Sequence, residues 1–123
     1  EAHFVLGNLY AAVPLAPKAE QAYRKAIELA PGNWRPMVNL ATLFLEGTSA
    51  SQYAEAAKLL DQAAAIEPSD WRIAYNQALA FTRLKQTDRA LELVRKIQKQ
   101  APADHPMVAE AQKLESNLLE AAR

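Results

Sequence analysis

Apolar residues recur along this chain at intervals of three and four, the spacing that lines one face of an α-helix. Three such sets each end shortly before a proline. They are Ala19, Tyr23 and Ala26 before Pro31; Ala56, Leu60 and Ala63 before Pro68; and Ala90, Val94 and Ile97 before Pro102. Upstream of each set lies a second kind of segment, in which a small residue is followed three positions later by an aromatic one: Gly7 and Tyr10, Ala41 and Phe44, Ala78 and Phe81. Leu6 and Leu40 precede the small residue in the first two segments, and Gln77 in the third. The three prolines are 37 and 34 residues apart. A recurrence of that length is the mark of a helical repeat array. The pattern predicts helices over 1–12, 17–30, 34–46, 51–66, 71–85, 88–100 and 105–121, with no strand.

Polar residues punctuate these segments in the places helix ends require. Asn33 and Asp70 each precede a tryptophan, Trp34 and Trp71, and are good N-cap residues. Pro36 falls in a first turn, where a missing N–H is tolerated. Gly47 follows a helix end as a C′ glycine. Ser49 with Gln52 reads as a capping box. Thr87 and Asp104 are read as the caps of the last two helices. The middle repeat carries three extra residues, which are expected in the inter-helix loop 46–51.

The order Leu-Gly-x-x-Tyr, then Ala-x-x-x-Tyr-x-x-Ala, then Pro, running from Leu6 to Pro31, resembles the tetratricopeptide repeat, whose period is about 34 residues. The resemblance extends over residues 1–103 as three repeats, at about 1–33, 34–70 and 71–103. It implies an all-α fold in which helix-turn-helix hairpins stack into a right-handed superhelix. Residues 104–123 depart from the pattern. Met107, Ala111, Leu114 and Leu118 form one apolar stripe, but Gln112 and Glu115 stand in the small and aromatic slots. This reads as a C-terminal capping helix that hides the last exposed edge. At the other end Phe4, Leu6 and Leu9 have no such cover, and the chain starts at Glu1. It is expected to be part of a larger protein.

Composition narrows the function classes. Fourteen basic and fourteen acidic residues give a formal net charge of zero, which argues against a nucleic-acid binder. No apolar run approaches the ~20 residues needed to cross a bilayer. With no cysteine, disulfides, thiolate metal sites and a cysteine nucleophile are excluded. His3 and His105 show no metal-ligand spacing, and the three glycines make no phosphate loop. Glu55, Asp61 and Glu67 read as solvated carboxylates. The sequence therefore shows no catalytic or metal constellation and calls for no cofactor; the chain is expected not to be an enzyme, unless the chemistry lies in domains outside it.

What remains is binding. In the family resembled, the first helix of each hairpin lines the concave side of the stack. The resemblance then assigns to that groove Phe4 and Asn8 from the first repeat. It adds Arg35, Val38, Asn39 and Thr42 from the second, and Arg72, Tyr75, Asn76, Leu79 and Arg83 from the third. Asparagine amides suit a peptide backbone, and guanidinium groups suit carboxylates. The partner-binding candidates are Asn8, Arg35, Asn39, Arg72, Tyr75, Asn76 and Arg83, and the expected partner is a peptide or protein surface of acidic character. Trp34 and Trp71 are expected to pack between successive hairpins.

One subfamily grips chaperone tails with a two-carboxylate clamp of Lys, Asn, Asn, Lys and Arg. Here Asn8 and Asn39 fill the amide slots and Arg72 the second Lys slot, but Phe4 and Asn76 replace the other two cations. That argues against chaperone-tail binding. Two alternatives to a scaffold stay open. One is a self-association module that builds a homo-oligomer through the uncapped N-terminal edge. The other is a regulatory appendage of a larger enzyme or membrane-anchored assembly. Localisation stays open between cytoplasm and periplasm.

Overall fold

The computed structural model describes residues 16–121 as six α-helices, with no strand among the described residues. They are α1 (Ala16–Leu29), α2 (Arg35–Leu45), α3 (Ala50–Ile66), α4 (Trp71–Arg83), α5 (Thr87–Gln100) and α6 (Pro106–Ala121). The first expected helix, with Asn8 and the edge residues Phe4, Leu6 and Leu9, lies outside the described residues. No described helix is long and apolar enough to cross a membrane.

Helices α2 and α3 form one hairpin and α4 and α5 the next, while α1 packs on α2, α3 on α4 and α5 on α6. The leading helices also touch across repeats, α2 against α4 and α4 against α6. These are the stacked helical hairpins that the family resemblance implies. The periodic apolar residues form its core. Ala19, Ala56, Ala63, Ala78 and Ala90 are wholly buried where helices cross, and Tyr23, Leu40, Leu60, Val94 and Ile97 fill the space beside them. One cluster spans α1 to α4 and a second spans α4 to α6. Helix α4 serves both, giving Ile73 and Ala80 to the first and Ala78 to the second.

Polar residues in apolar slots have partners. Gln77 donates to Asp61 on α3 at 3.0 Å. Glu115 accepts from Arg95 at 2.8 Å and from Gln98 at 2.9 Å, which ties α6 to α5. The Gln98 amide and the Arg95 guanidinium hold its carboxyl below the usual carboxylate range.

Several helix ends differ from the expectation. The capping box holds: Ser49 Oγ accepts from the Gln52 N–H, and the Gln52 side chain returns to the Ser49 N–H. It starts α3 early enough that this helix has 17 residues against 14 in α5. The extra residues thus mainly lengthen the first turn of α3 rather than the loop. Gly47 is not left-handed; a Cβ there would collide with the Gln52 amide, so the glycine makes room for the box. Thr87 is the first residue of α5, not its cap, and Gln86 before it makes no side-chain cap bond. Asp104 stands one residue too early to cap α6. His105 Nδ1 instead accepts from the Met107 N–H at 3.1 Å.

Candidate peptide-binding groove

The N-terminal turns of α2 and α4 lie side by side because each follows the same short sequence: Pro, one residue, Asn or Asp, Trp, Arg. Asn33 Oδ1 accepts from the Arg35 N–H at 3.2 Å, and Asp70 Oδ1 accepts from the Arg72 N–H at 2.9 Å. These bonds satisfy amides that an N-terminus leaves without intrahelical partners. They also orient the residues that follow. One turn on come Asn39 and Asn76, on the same stripes.

Arg35, Asn39, Arg72 and Asn76 line a single concavity of about 270 Å³ between α2 and α4, with Val38 and Ile73 at its floor. Both asparagines are half-buried and both arginines exposed. The Arg35 guanidinium lies 4.9 Å from the Trp34 ring centroid, a cation–π stack that restricts where it can point. Arg72 Nε lies 3.6 Å from the Asp70 carboxylate while its side chain stays 70% exposed. The two arginines thus differ: one stacks on a ring, and the other shares its charge with a neighbour.

The remaining candidates stand apart from this concavity. Tyr75 is half-buried on the side of α4 that packs on the second cluster; burial and the Glu110 carboxylate raise its phenol pKa. Arg83, at the far end of α4, lies 5.7 Å from the Tyr53 ring centroid on α3. Thr42 is exposed and donates to the Val38 carbonyl at 2.9 Å. Leu79 is half-buried against both clusters.

A second concavity of about 470 Å³ adjoins the first and shares Trp34, Asp70 and Arg72 with it. Its other walls include Glu67, Trp71, His105 and Met107. Trp34 packs partly on the first cluster and Trp71 on the second, as expected for residues between hairpins, yet both also line this cavity. Glu67 and Asp70 also line it, and neither is among the residues that the sequence assigns to the groove. The signal was there in the aligned loops, where Glu67 replaces Ala30 and Asp70 replaces Asn33.

With this geometry in hand, known proteins place the chain. The first TPR of Spaghetti (RPAP3), bound to the HSP90 peptide SRMEEVD, superposes with a TM-score of 0.82 at 18% identity, covering 98% of this chain and 93% of that one. PcrH, in complex with the chaperone binding region of PopD, gives 0.83 at 15% identity over 99% and 92%. The Sgt2 TPR domain from Aspergillus fumigatus gives 0.80 at 20% identity over 98% and 79%. At such identities the likeness concerns the fold. No curated protein matches the chain in sequence. The tetratricopeptide-repeat family model, however, matches residues 48–114, from the capping box of α3 to the core of α6. That span is more than half of the chain and holds one complete hairpin with a helix on either side, so the chain belongs to the tetratricopeptide-repeat family.

Proposed function

We propose that this chain is a non-catalytic scaffold that holds an extended peptide, or an exposed segment of a partner protein, of acidic character. The observation that carries this reading is the convergence of Arg35, Asn39, Arg72 and Asn76 on one concavity. Two guanidinium groups on neighbouring repeats present paired donors for carboxylates, and the two amides between them can bond a peptide backbone on both its N–H and C=O groups. Tyr75 and Arg83, both on α4, are read as flanking contacts, as is Asn8, which lies outside the described residues. The stacked Arg35 is already restrained, so less entropy is lost when it engages a ligand.

Similar folds with bound peptide ligands support the class of partner. The RPAP3 domain holds a peptide with two consecutive glutamates, and PcrH holds a segment of another protein. In this chain Phe4 and Asn76 stand where the chaperone-tail clamp has cations, so the acidic segment differs from those tails.

Replacing Arg72 by glutamate tests the reading. Affinity for an acidic partner should fall by about 1–3 kcal/mol, the range between an exposed and a desolvated ion pair. The melting temperature should barely move, because Arg72 contributes only an exposed pair to folding. Lys58 is exposed on α3, the second helix of its hairpin. Lys58→Glu should leave affinity unchanged. A partner whose affinity drops with Lys58→Glu but not with Arg72→Glu would put the site on the other face.

A further inference from the structure

We propose that the cavity between Trp34, Trp71 and Glu67 takes a lysine or arginine side chain of the same bound segment. The recognised sequence then pairs an acidic residue with a basic one in a fixed order. This rests on the peptide-binding reading above and adds the second half of its specificity.

Equivalent positions in successive loops change in charge along the stack. The pair Asn33 and Arg35 carries one positive charge, Asp70 and Arg72 carry none in sum, and Asp104 and Pro106 carry one negative charge. The position before the repeat proline adds a carboxylate only at the middle rung, where Glu67 stands in place of Ala30 and Ala101. The groove therefore runs from a cationic to an anionic end. The smaller concavity has two guanidinium groups against one carboxylate, and the larger has two carboxylates against one guanidinium.

The larger cavity has the walls such a side chain needs. Two half-buried indoles line it and offer apolar surface for an alkyl stem, and Met107 adds a soft contact. The Asp70 carboxylate and Arg72 partly cancel each other at 3.6 Å. Glu67 accepts from the Ser69 hydroxyl at 2.9 Å and forms no ion pair among the described residues, so it is the carboxylate available to an incoming cation. Packed helices lie about 8–10 Å apart. An extended chain advances about 3.3 Å per residue. The acidic and basic residues of the ligand should therefore be about three positions apart.

Selection of a random twelve-residue peptide display library on the purified full chain tests this. The expected yield is peptides with Asp or Glu and Lys or Arg about three positions apart, in one order only. A synthetic peptide of that consensus should bind the Glu67→Gln chain about two- to fivefold more weakly, a loss of the size of an exposed carboxylate–cation pair. The loss should shrink once the peptide's basic residue is alanine. Peptides that are acidic only, and whose binding depends on Arg72 but not on Glu67, would overturn this inference and leave the proposed groove standing. Peptides indifferent to Arg72→Glu, or no enrichment at all, would overturn the groove reading and this inference with it.

Discussion

Lys85 is the one described non-glycine residue with positive φ, at 61°. It follows the C-terminus of α4, where the Gln86 N–H donates to the Phe81 carbonyl at 2.8 Å and the Lys85 N–H donates to the Thr82 carbonyl at 3.1 Å. Those two bonds are a Schellman motif, which glycine normally serves because a Cβ is strained there. Lys85→Gly should therefore stabilise the fold by about 0.5–1 kcal/mol, the relief of strain less the added chain entropy. A lower melting temperature in a thermal scan would contradict this. Gly47 is the reverse case. It looks like a helix-ending glycine in sequence, yet what it provides is room for the Gln52 amide that closes the capping box.

Among the elements, α3 is packed between α2 on one side and α4 on the other. Its crossing points are alanines, and Ala56 and Ala63 are both wholly buried. A longer side chain cannot enter without parting two helices. Ala63→Leu should cost about 1–3 kcal/mol through overpacking. Urea unfolding measures this as a lower midpoint at unchanged slope; an unchanged midpoint would mean that the crossing is looser than the burial of Ala63 indicates.

For the whole molecule, α6 completes the second core cluster with Ala111, Leu114 and Leu118. It is fastened to α5 by Glu115. The Gln98 and Arg95 bonds lower the folded-state pKa of that carboxyl. A lowered carboxylate pKa stabilises the fold above the unfolded value, and the contribution is lost as pH falls through the folded value. The melting temperature of the natural chain should exceed that of Glu115→Gln by a constant margin above about pH 5, where an ordinary glutamate is ionised. The margin should shrink on further acidification. A margin that grows toward acid pH would exclude Glu115 as the source.

The repeat, the helices and the buried faces were legible in the sequence because each is set by local spacing. Small residues at Ala19, Ala56 and Ala90 and prolines at equivalent places can be counted without coordinates. The stripe that brings Arg35, Asn39, Arg72 and Asn76 into one groove was readable for the same reason, since neighbouring rungs of one repeat must share a face. What needed the tertiary structure were contacts between elements that no periodicity encodes. The sequence shows Arg72 next to Asp70, but not that Arg35 stacks on Trp34 while Arg72 leans on a carboxylate. It shows Gln77 and Glu115 as misfits in apolar slots. Only packing brings Asp61 to one, and Arg95 and Gln98 to the other. Glu67 reads as one more solvated carboxylate on a helix end until α4 and α6 come alongside, and Trp71, His105 and Met107 enclose the space beside it. Helix-scale order follows from bond geometry within one stretch of chain. Charge pairing across a groove depends on which stretches the fold sets side by side.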